Sequence, residues 1–136
     1  MTLRIALLVV AVSLAGCVSS GASDPLGTSA GRDQARDAYI QLGIGYLQQG
    51  ASERAKAPLS KALELDPHSA DAHAALALLF QTQLEPQLAD QHYRKALSSR
   101  PADARILNNY GTFLFERGQY PQAYERFRQA SEDSLY

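Results

Sequence analysis

Apolar positions in this chain recur with a period of 34 residues after about residue 35. In the stretch from Tyr39 to Pro67, apolar residues fall at helical spacing, stop at Gly50, resume, and end at a proline that is repeated as Pro101. Spacings of three, four and seven place side chains on one face of a helix, and a proline disfavours helix at the residue before it. The pattern therefore predicts three helix pairs. They cover residues 36–69, 70–103 and 104–136.

Small residues hold fixed places within these pairs. In the first pair they are Gly43 in the first helix, and Ala55 and Ala62 in the second. Two packed helices come close together only where the facing side chains are short. These positions are therefore predicted to be the contacts between the two helices of the pair.

The order of residue types within each pair is repeated as well. It reads aromatic-x₂-Leu-Gly-x₂-Tyr in the first helix, then Ala, Leu or an aromatic residue, Ala and Pro in the second. The pattern resembles the tetratricopeptide repeat in three successive copies over residues 36–136, with His73, Ala77 and Leu107 as departures. The resemblance implies an all-α superhelix of three antiparallel helix pairs with a concave inner groove. An unrelated amphipathic helical bundle is the alternative.

The N-terminus has the pattern of a secretion signal. Arg4 precedes an apolar segment over residues 5–14, and the sequence LAGC then ends at Cys17. These last four residues resemble the bacterial lipobox, which implies removal of residues 1–16 as a signal peptide and acylation of Cys17. An ordinary signal peptide is the alternative. Val18, in place of an aspartate after the cysteine, favours the outer membrane over inner-membrane retention in a Gram-negative bacterium.

The segment after the cysteine is predicted to be a tether. Residues 18–31 are rich in Ser, Gly and Ala, a composition that buries too little apolar surface to fold. We therefore predict that residues 17–35 form a lipidated Cys17 and a flexible linker, which holds the folded part close to the membrane, in the periplasm.

The tetratricopeptide resemblance also implies which residues line the inner groove. In the first pair they are Ile40, Ile44 and Leu47, an apolar stripe suited to an apolar or helical peptide. Alternatively, the tether, or a residue such as Leu26, folds back and covers this stripe. The Lys and Asn clamp of chaperone-binding members is absent from the matching positions. The predicted partner-binding residues are Ile40, Ile44, Leu47, Leu78, Asn108, Thr112 and Phe115. The remaining residues of the predicted lining are Asp37, Asp71, Ala74, Gln81 and Arg105.

Composition offers little support for catalysis or nucleic-acid binding. The net charge is −1, and there is one cysteine. The histidines His68, His73 and His92 form neither an i,i+4 pair nor an HExxH motif, and no Gly-rich phosphate loop occurs. His73 takes an aromatic position of the repeat, which favours a structural role. We therefore expect no enzyme activity, no cofactor, no metal site and no small-molecule substrate.

A narrower resemblance lies in the third repeat. The sequence from Asn108 to Gly111, the aromatic-rich segment that follows, and the end of the chain from Tyr120, together with the leader, look like the PilF/PilW-type pilotins of type IV pilus biogenesis. Membership would imply an outer-membrane lipoprotein, facing the periplasm, that binds the pilus secretin and aids its localisation and multimerisation. The alternatives are a general periplasmic adaptor, for example one that recruits cell-wall hydrolases, and a lipid-anchored chaperone for exported subunits.

Members of that family are about twice this length, with further repeats. The chain is therefore expected to be an N-terminal fragment or a prematurely ended reading frame. Its last predicted helix, over about residues 120–132, would leave Tyr124, Phe127 and Leu135 uncovered, because each repeat of a solenoid buries its apolar face on the next.

Overall fold

A computed structural model of the chain describes residues 24–132. This part consists of a short 3₁₀ turn and six α-helices, without strands. The predicted signal peptide at residues 1–16, the predicted acylation site Cys17 and Leu135 lie outside the described residues. The helices are α1 (Ser29–Gln48), α2 (Ser52–Leu65), α3 (Ala70–Thr82), α4 (Pro86–Ser99), α5 (Ala104–Glu116) and α6 (Tyr120–Glu132).

The helices form three stacked antiparallel pairs, as the 34-residue period predicts. Within each pair α1 packs on α2, α3 on α4, and α5 on α6, while α2 against α3 and α4 against α5 join neighbouring pairs. The all-α fold of three helix pairs is therefore confirmed. None of the helices within residues 24–132 is both long and apolar enough to cross a membrane.

The turn inside each pair uses a left-handed residue at the same place in the period. These residues are Gly50, Leu84 and Gly118, with φ of 71°, 58° and 72°. The backbone N–H of the next residue donates to a carbonyl oxygen near the end of the preceding helix. The N···O distances of these three hydrogen bonds are 2.8–2.9 Å, for example 2.8 Å from Glu85 to Phe80. Such turns close a helix with a left-handed residue, normally glycine. The second pair achieves the same turn with a leucine.

Side-chain caps start the first helix of the later pairs. The Ser69 hydroxyl accepts from the Ala72 N–H at 3.2 Å, and the Asp103 carboxylate accepts from the Ile106 N–H at 3.1 Å. Both caps follow the stop prolines, Pro67 and Pro101, by two residues. Each boundary between pairs therefore combines a proline that ends one helix with a polar residue that begins the next.

The tether prediction is wrong from residue 29 onwards. α1 begins at Ser29, where the Thr28 hydroxyl accepts from the Gly31 N–H at 3.0 Å. The first pair therefore starts seven residues before the predicted boundary at residue 36. Once the packed part of α1 is helical, each further residue adds a hydrogen bond without a new nucleation cost, so even a Ser-, Gly- and Ala-rich segment joins the helix.

Close approach within a pair depends on glycine. A Cβ atom placed on Gly43 would lie 2.5 Å from Cγ of Leu59, and one on Gly111 would lie 2.6 Å from Cε1 of Phe127. These two glycines stand at the same place in the first and third pairs, and Ala77, with no exposed surface, stands there in the second. The predicted small-residue contact is therefore present.

An aromatic cluster joins the second and third pairs. Tyr93 stacks on Tyr110 with ring centroids 5.1 Å apart, and Phe113 lies 5.5 Å from Tyr93. All three side chains are buried. On α6 the side chains of Tyr124 and Phe127 are 69% and 37% exposed, as expected from the sequence, although the Phe127 ring also lies against Gly111 of α5.

Candidate functional site

The first helices of the three pairs enclose an inner groove of about 820 Å³. α1 forms one wall and α3 the other, while residues from the end of α4 and from α5 close it at one side. The lining residues are Arg36, Asp37, Ile40, Gln41, Ile44, Leu47, Gln48, Asp71, Ala75, Leu78, Thr82, Arg100, Arg105 and Asn109.

The floor of the groove is apolar. Ile40, Ile44 and Leu47 lie along one face of α1 at spacings of four and three, and Leu78 lies across from them on α3. Ile40 is 4% exposed, so it supports the floor rather than offering contact surface. The other three side chains are half-buried, which leaves apolar surface that an apolar side chain of another molecule can contact. The structure therefore brings these four predicted residues together.

One end of the groove carries an arginine–aspartate network. Asp71 accepts from Arg105 and, at 2.8 Å, from Arg100, which also reaches Asp103 at 3.5 Å. The hydrogen bond to Asp71 raises the pKa of the Arg100 guanidinium. Asp71 and Arg105 stand 34 residues apart, so this pair ties equivalent positions of neighbouring repeats.

A second set of ion pairs continues the network on the α1 side. Arg36 contacts Asp33 and Asp37, both at 2.9 Å, and reaches Asp66 at 3.4 Å. The Asp37 carboxylate raises the pKa of Arg36 through its hydrogen bond. This end of the groove is therefore polar, with its three arginines all in ion pairs, while the floor is apolar. The arrangement suits an amphipathic segment with a polar end.

Three predicted groove residues on α5 do not line this groove. Asn108 and Thr112 are absent from its lining, where Asn109 lies instead, and the Thr112 hydroxyl donates to the Asn108 backbone carbonyl at 3.0 Å. Phe115 is 56% exposed and packs edge-on against Tyr120 at 5.2 Å. On α3, likewise, the lining residues are Ala75 and Thr82 in place of the predicted Ala74 and Gln81.

Sequence reasoning missed the arginines Arg36 and Arg100. The tetratricopeptide resemblance implies groove positions only in the first helix of each repeat, from its second residue onwards. Arg36 stands one residue before that position, and Arg100 is the C-cap residue after α4, beside Pro101. Arginines next to the acidic groove positions Asp37 and Asp71 were the available signal.

The alternative in which Leu26 covers the apolar stripe is wrong. The described segment before α1 forms a 3₁₀ turn at Pro25–Gly27, capped by the Asp24 carboxylate. The Leu26 side chain is 49% exposed and does not line the groove. Within the part of the chain that the structure describes, the floor between α1 and α3 is therefore open to another molecule.

Two histidines, of which His73 is buried and His92 half-buried, form a pair outside the groove. Nδ1 of His73 lies 2.9 Å from Nδ1 of His92, and Nε2 of His73 lies 3.0 Å from the Pro67 carbonyl. Since a carbonyl only accepts, Nε2 of His73 donates to it, and the neutral His73 ring then accepts the N–H of His92 at Nδ1. His92 also stacks on Phe80, with centroids 5.3 Å apart.

This pair has the character of a structural contact. Burial lowers the pKa of both rings, that of His92 to about 4, with His73 and Lys95 as further causes for His92. Both rings are therefore neutral at pH 7. Among residues 24–132, no group of three or more His, Cys, Asp or Glu side chains is placed to hold a metal ion.

Two segments of the chain match the tetratricopeptide repeat family, residues 37–69 and residues 92–125. The first match covers most of the first helix pair. The second runs from α4 through α5 into α6, so it straddles the second and third pairs.

Relatives with longer chains are similar over most or all of this one. The type IV pilus assembly protein PilF of Pseudomonas aeruginosa is 63% identical over 137 residues, covering 100% of this chain and 54% of that protein. An uncharacterized protein of Haemophilus influenzae is 33% identical over 120 residues, covering 88% of this chain and 64% of that protein. A solved structure, described as the functional characterization of Pseudomonas aeruginosa PilF, aligns with a TM-score of 0.76 at 66% identity, over 78% of this chain and 48% of that one. The chain thus spans about half the length of the Pseudomonas relatives.

Proposed function

Since the chain belongs to the tetratricopeptide-repeat family, we propose that its inner groove binds a protein partner in type IV pilus biogenesis. The observation that carries this proposal is the 63% identity to a type IV pilus assembly protein over the whole chain. Solenoids of helix pairs use their concave surface for binding. The open apolar floor between α1 and α3 is a surface of that kind.

We assign the partner to the pilus secretin. Ile44, Leu47 and Leu78 of the groove can contact apolar side chains of the partner. The ion-paired groups around Asp71 can contact a polar end of the same partner segment. An amphipathic helix or an extended segment with apolar residues on one side matches both features. In this proposal the chain aids the localisation and multimerisation of the secretin at the outer membrane.

The membrane anchor is part of the same proposal. The lipobox-like sequence ending at Cys17 is consistent with acylation, and Val18 favours the outer membrane. Several acyl chains hold a protein firmly, since each buried CH₂ contributes about 0.8 kcal/mol and a single chain binds only marginally. Ser29, the first residue of α1, is close enough in sequence to Cys17 to keep the groove near the membrane, facing the periplasm.

The groove is tested with Ile44→Asp and Leu78→Asp. Each change places a charge on the apolar floor, and we expect capture of the secretin from envelope extract to fall about tenfold or more, the effect of losing a hot-spot contact. Leu42→Asp is the matched control, because Leu42 lies on α1, is 47% exposed and does not line the groove. Circular dichroism confirms that each variant is folded.

Equal capture of the secretin by folded Leu78→Asp and by the unchanged chain would contradict the proposed groove. Capture of cell-wall hydrolases in place of secretin would instead support the general periplasmic adaptor.

The anchor is tested separately with Cys17→Ala. Without the thiol no acyl chain is attached, so we expect the protein to move from the outer-membrane fraction to the soluble periplasmic fraction. We also expect secretin rings to be lost from the outer membrane. Fractionation with immunoblotting measures both, and Cys17→Ala cells with a normal number of outer-membrane secretin rings would refute the anchored pilotin role.

A further inference from the structure

A second cleft, of about 370 Å³, lies between α4, α5 and α6. None of its lining residues lines the inner groove, so it is a separate surface. Its lining is rich in arginine and glutamine. The residues are Pro86, Gln87, Asp90, Arg94, Tyr110, Leu114, Arg117, Gln119, Gln122 and Arg126.

The charges in this cleft do not balance. Its one carboxylate, Asp90, accepts a hydrogen bond from the Tyr110 hydroxyl at 2.6 Å. Asp90 also forms an ion pair with Nε of Arg94 at 2.7 Å, so its negative charge balances the positive charge of Arg94. Neither Arg117 nor Arg126 lies within ion-pair distance of a carboxylate among residues 24–132, so neither makes an ion pair within the described residues.

Arg126 is also short of hydrogen bonds. Its guanidinium carbon lies 5.2 Å from the centroid of the Tyr110 ring, and Nη1 donates to Oε1 of Gln129 at 3.1 Å. Nε is buried and has no hydrogen-bond partner in the described part of the chain. Buried donors are normally paired, because an unmade hydrogen bond loses the solvation of the group without replacement. Nη2, by contrast, is not buried and makes no hydrogen bond within the described residues, so it is the donor that an acceptor oxygen in the cleft can reach.

We propose that this cleft binds a phosphate group, as inorganic phosphate or as a phosphate monoester. Such a group carries a charge of about −1.5 to −2 at pH 7, which matches the positive charges of Arg117 and Arg126. Its oxygens can accept hydrogen bonds from the guanidinium N–H groups of Arg117 and of Arg126. A carboxylate carries a single charge and two oxygens, so it would balance only one of these arginines.

The surroundings leave room for a substituent on the phosphate. A recess of about 290 Å³ shares Pro86 and Arg117 with the cleft and is otherwise lined by Gln81, Leu84, Phe113 and Glu116. Arg117 lies over the Phe113 ring at 5.5 Å. A monoester can therefore place its phosphate against the arginines and its organic part in the recess.

The test is titration of the full 136-residue chain with inorganic phosphate by isothermal calorimetry. We expect saturable binding with a Kd of about 1 mM or tighter. Arg126→Gln and Arg117→Gln are each expected to weaken it about tenfold or more, because each removes a charge-assisted contact. Arg128→Gln is the matched control on α6: Arg128 is already paired with Glu125 and Glu132, and it does not line the cleft.

Absence of saturable binding to the unchanged chain would overturn the proposal, and so would equal weakening by Arg128→Gln. If Arg126→Gln does not fold, the exposed Arg117→Gln carries the test. Vesicles distinguish the sources of phosphate: binding to phosphatidic acid over phosphatidylcholine that is lost in Arg117→Gln identifies a lipid headgroup. Binding of inorganic phosphate without that preference identifies a soluble ligand.

Discussion

Leu84 has a left-handed backbone, with φ of 58°, where Gly50 and Gly118 fill the same turn position in the other pairs. A residue with a Cβ pays a steric cost there that glycine avoids. The Leu84 side chain is 86% exposed, so it recovers almost none of this cost through burial.

We therefore expect Leu84→Gly to stabilise the fold. Glycine relieves the backbone strain of the folded state, but it also gives the unfolded chain more conformational freedom. The net gain in the free energy of unfolding is about 0.5–1 kcal/mol. Urea unfolding measures the change, and Leu84→Ala, which keeps the Cβ, is the control that should change stability little. A loss of stability in Leu84→Gly would mean that the leucine makes a contact that outweighs its strain.

The histidine pair predicts a dependence of stability on pH. Burial lowers the pKa of His92 from 6.5 to about 4, so between these values the unfolded chain binds more protons than the folded one. Stability is therefore complete above pH 6.5 and falls as the pH is lowered towards 4. The loss is about 1–2 kcal/mol, since the ring is half-buried and still partly solvated.

Urea unfolding at a series of pH values from about 7.5 to about 4.5 measures this loss. The series begins above the unfolded pKa of His92 and ends close to its folded pKa. His92→Gln is expected to flatten the curve, whereas His68→Gln, at an exposed position, keeps the dependence of the unchanged chain. An identical pH dependence in His92→Gln and the unchanged chain would show that other groups are responsible.

At the scale of the helices, the spacing of α1 and α2 depends on Gly43. Its added Cβ would meet Leu59 at 2.5 Å, and the helices are held there by the packing of the pair. We expect Gly43→Ala to cost about 1–3 kcal/mol in the free energy of unfolding, the usual effect of overpacking a core. Thermal or urea unfolding measures it.

Gly45→Ala is the matched control on the same helix. A Cβ there meets nothing within 4 Å, so the change should instead stabilise the helix by about 0.5–1 kcal/mol. If the two alanine variants had equal stability, the close approach of α1 and α2 would not need glycine.

The period of the sequence was sufficient to predict the helices because each boundary is encoded locally. Gly50, Pro67 and Pro101 mark boundaries in the sequence, and Ser69 and Asp103 mark helix starts in the structure. The start of α1 was missed because composition describes a segment alone, whereas a helix continues from its packed neighbour.

The groove was predicted only in part for a different reason. The stripe at Ile40, Ile44 and Leu47 lies on a single helix, so the groove positions implied by the tetratricopeptide resemblance were sufficient to predict it. Asn109 lines the groove in place of the predicted Asn108 because of how the helix pairs are oriented relative to one another. The contact of His73 with His92 depends on how α3 and α4 pack. Neither relation is local in the sequence.

On the scale of the whole molecule, residues 24–132 form a linear stack in which the main contacts of each pair are with its neighbours. The aromatic cluster of Tyr93, Tyr110 and Phe113 and the ion pair between Asp71 and Arg105 both join the second and third pairs. One contact is buried and apolar, and the other lies at the groove and is charged. The aromatic cluster in the core therefore also helps to set the width of the groove at the end where Asp71 and Arg105 lie.

α5 has one further property that concerns both surfaces. Asn109 lines the inner groove, while the next residue, Tyr110, lines the arginine cleft and lies under Arg126. A ligand that shifts or rotates α5 from one side must change what the other side presents. Thermodynamic linkage then makes the effect mutual: whatever coupling free energy a groove ligand confers on phosphate binding, phosphate confers equally on the affinity of the groove.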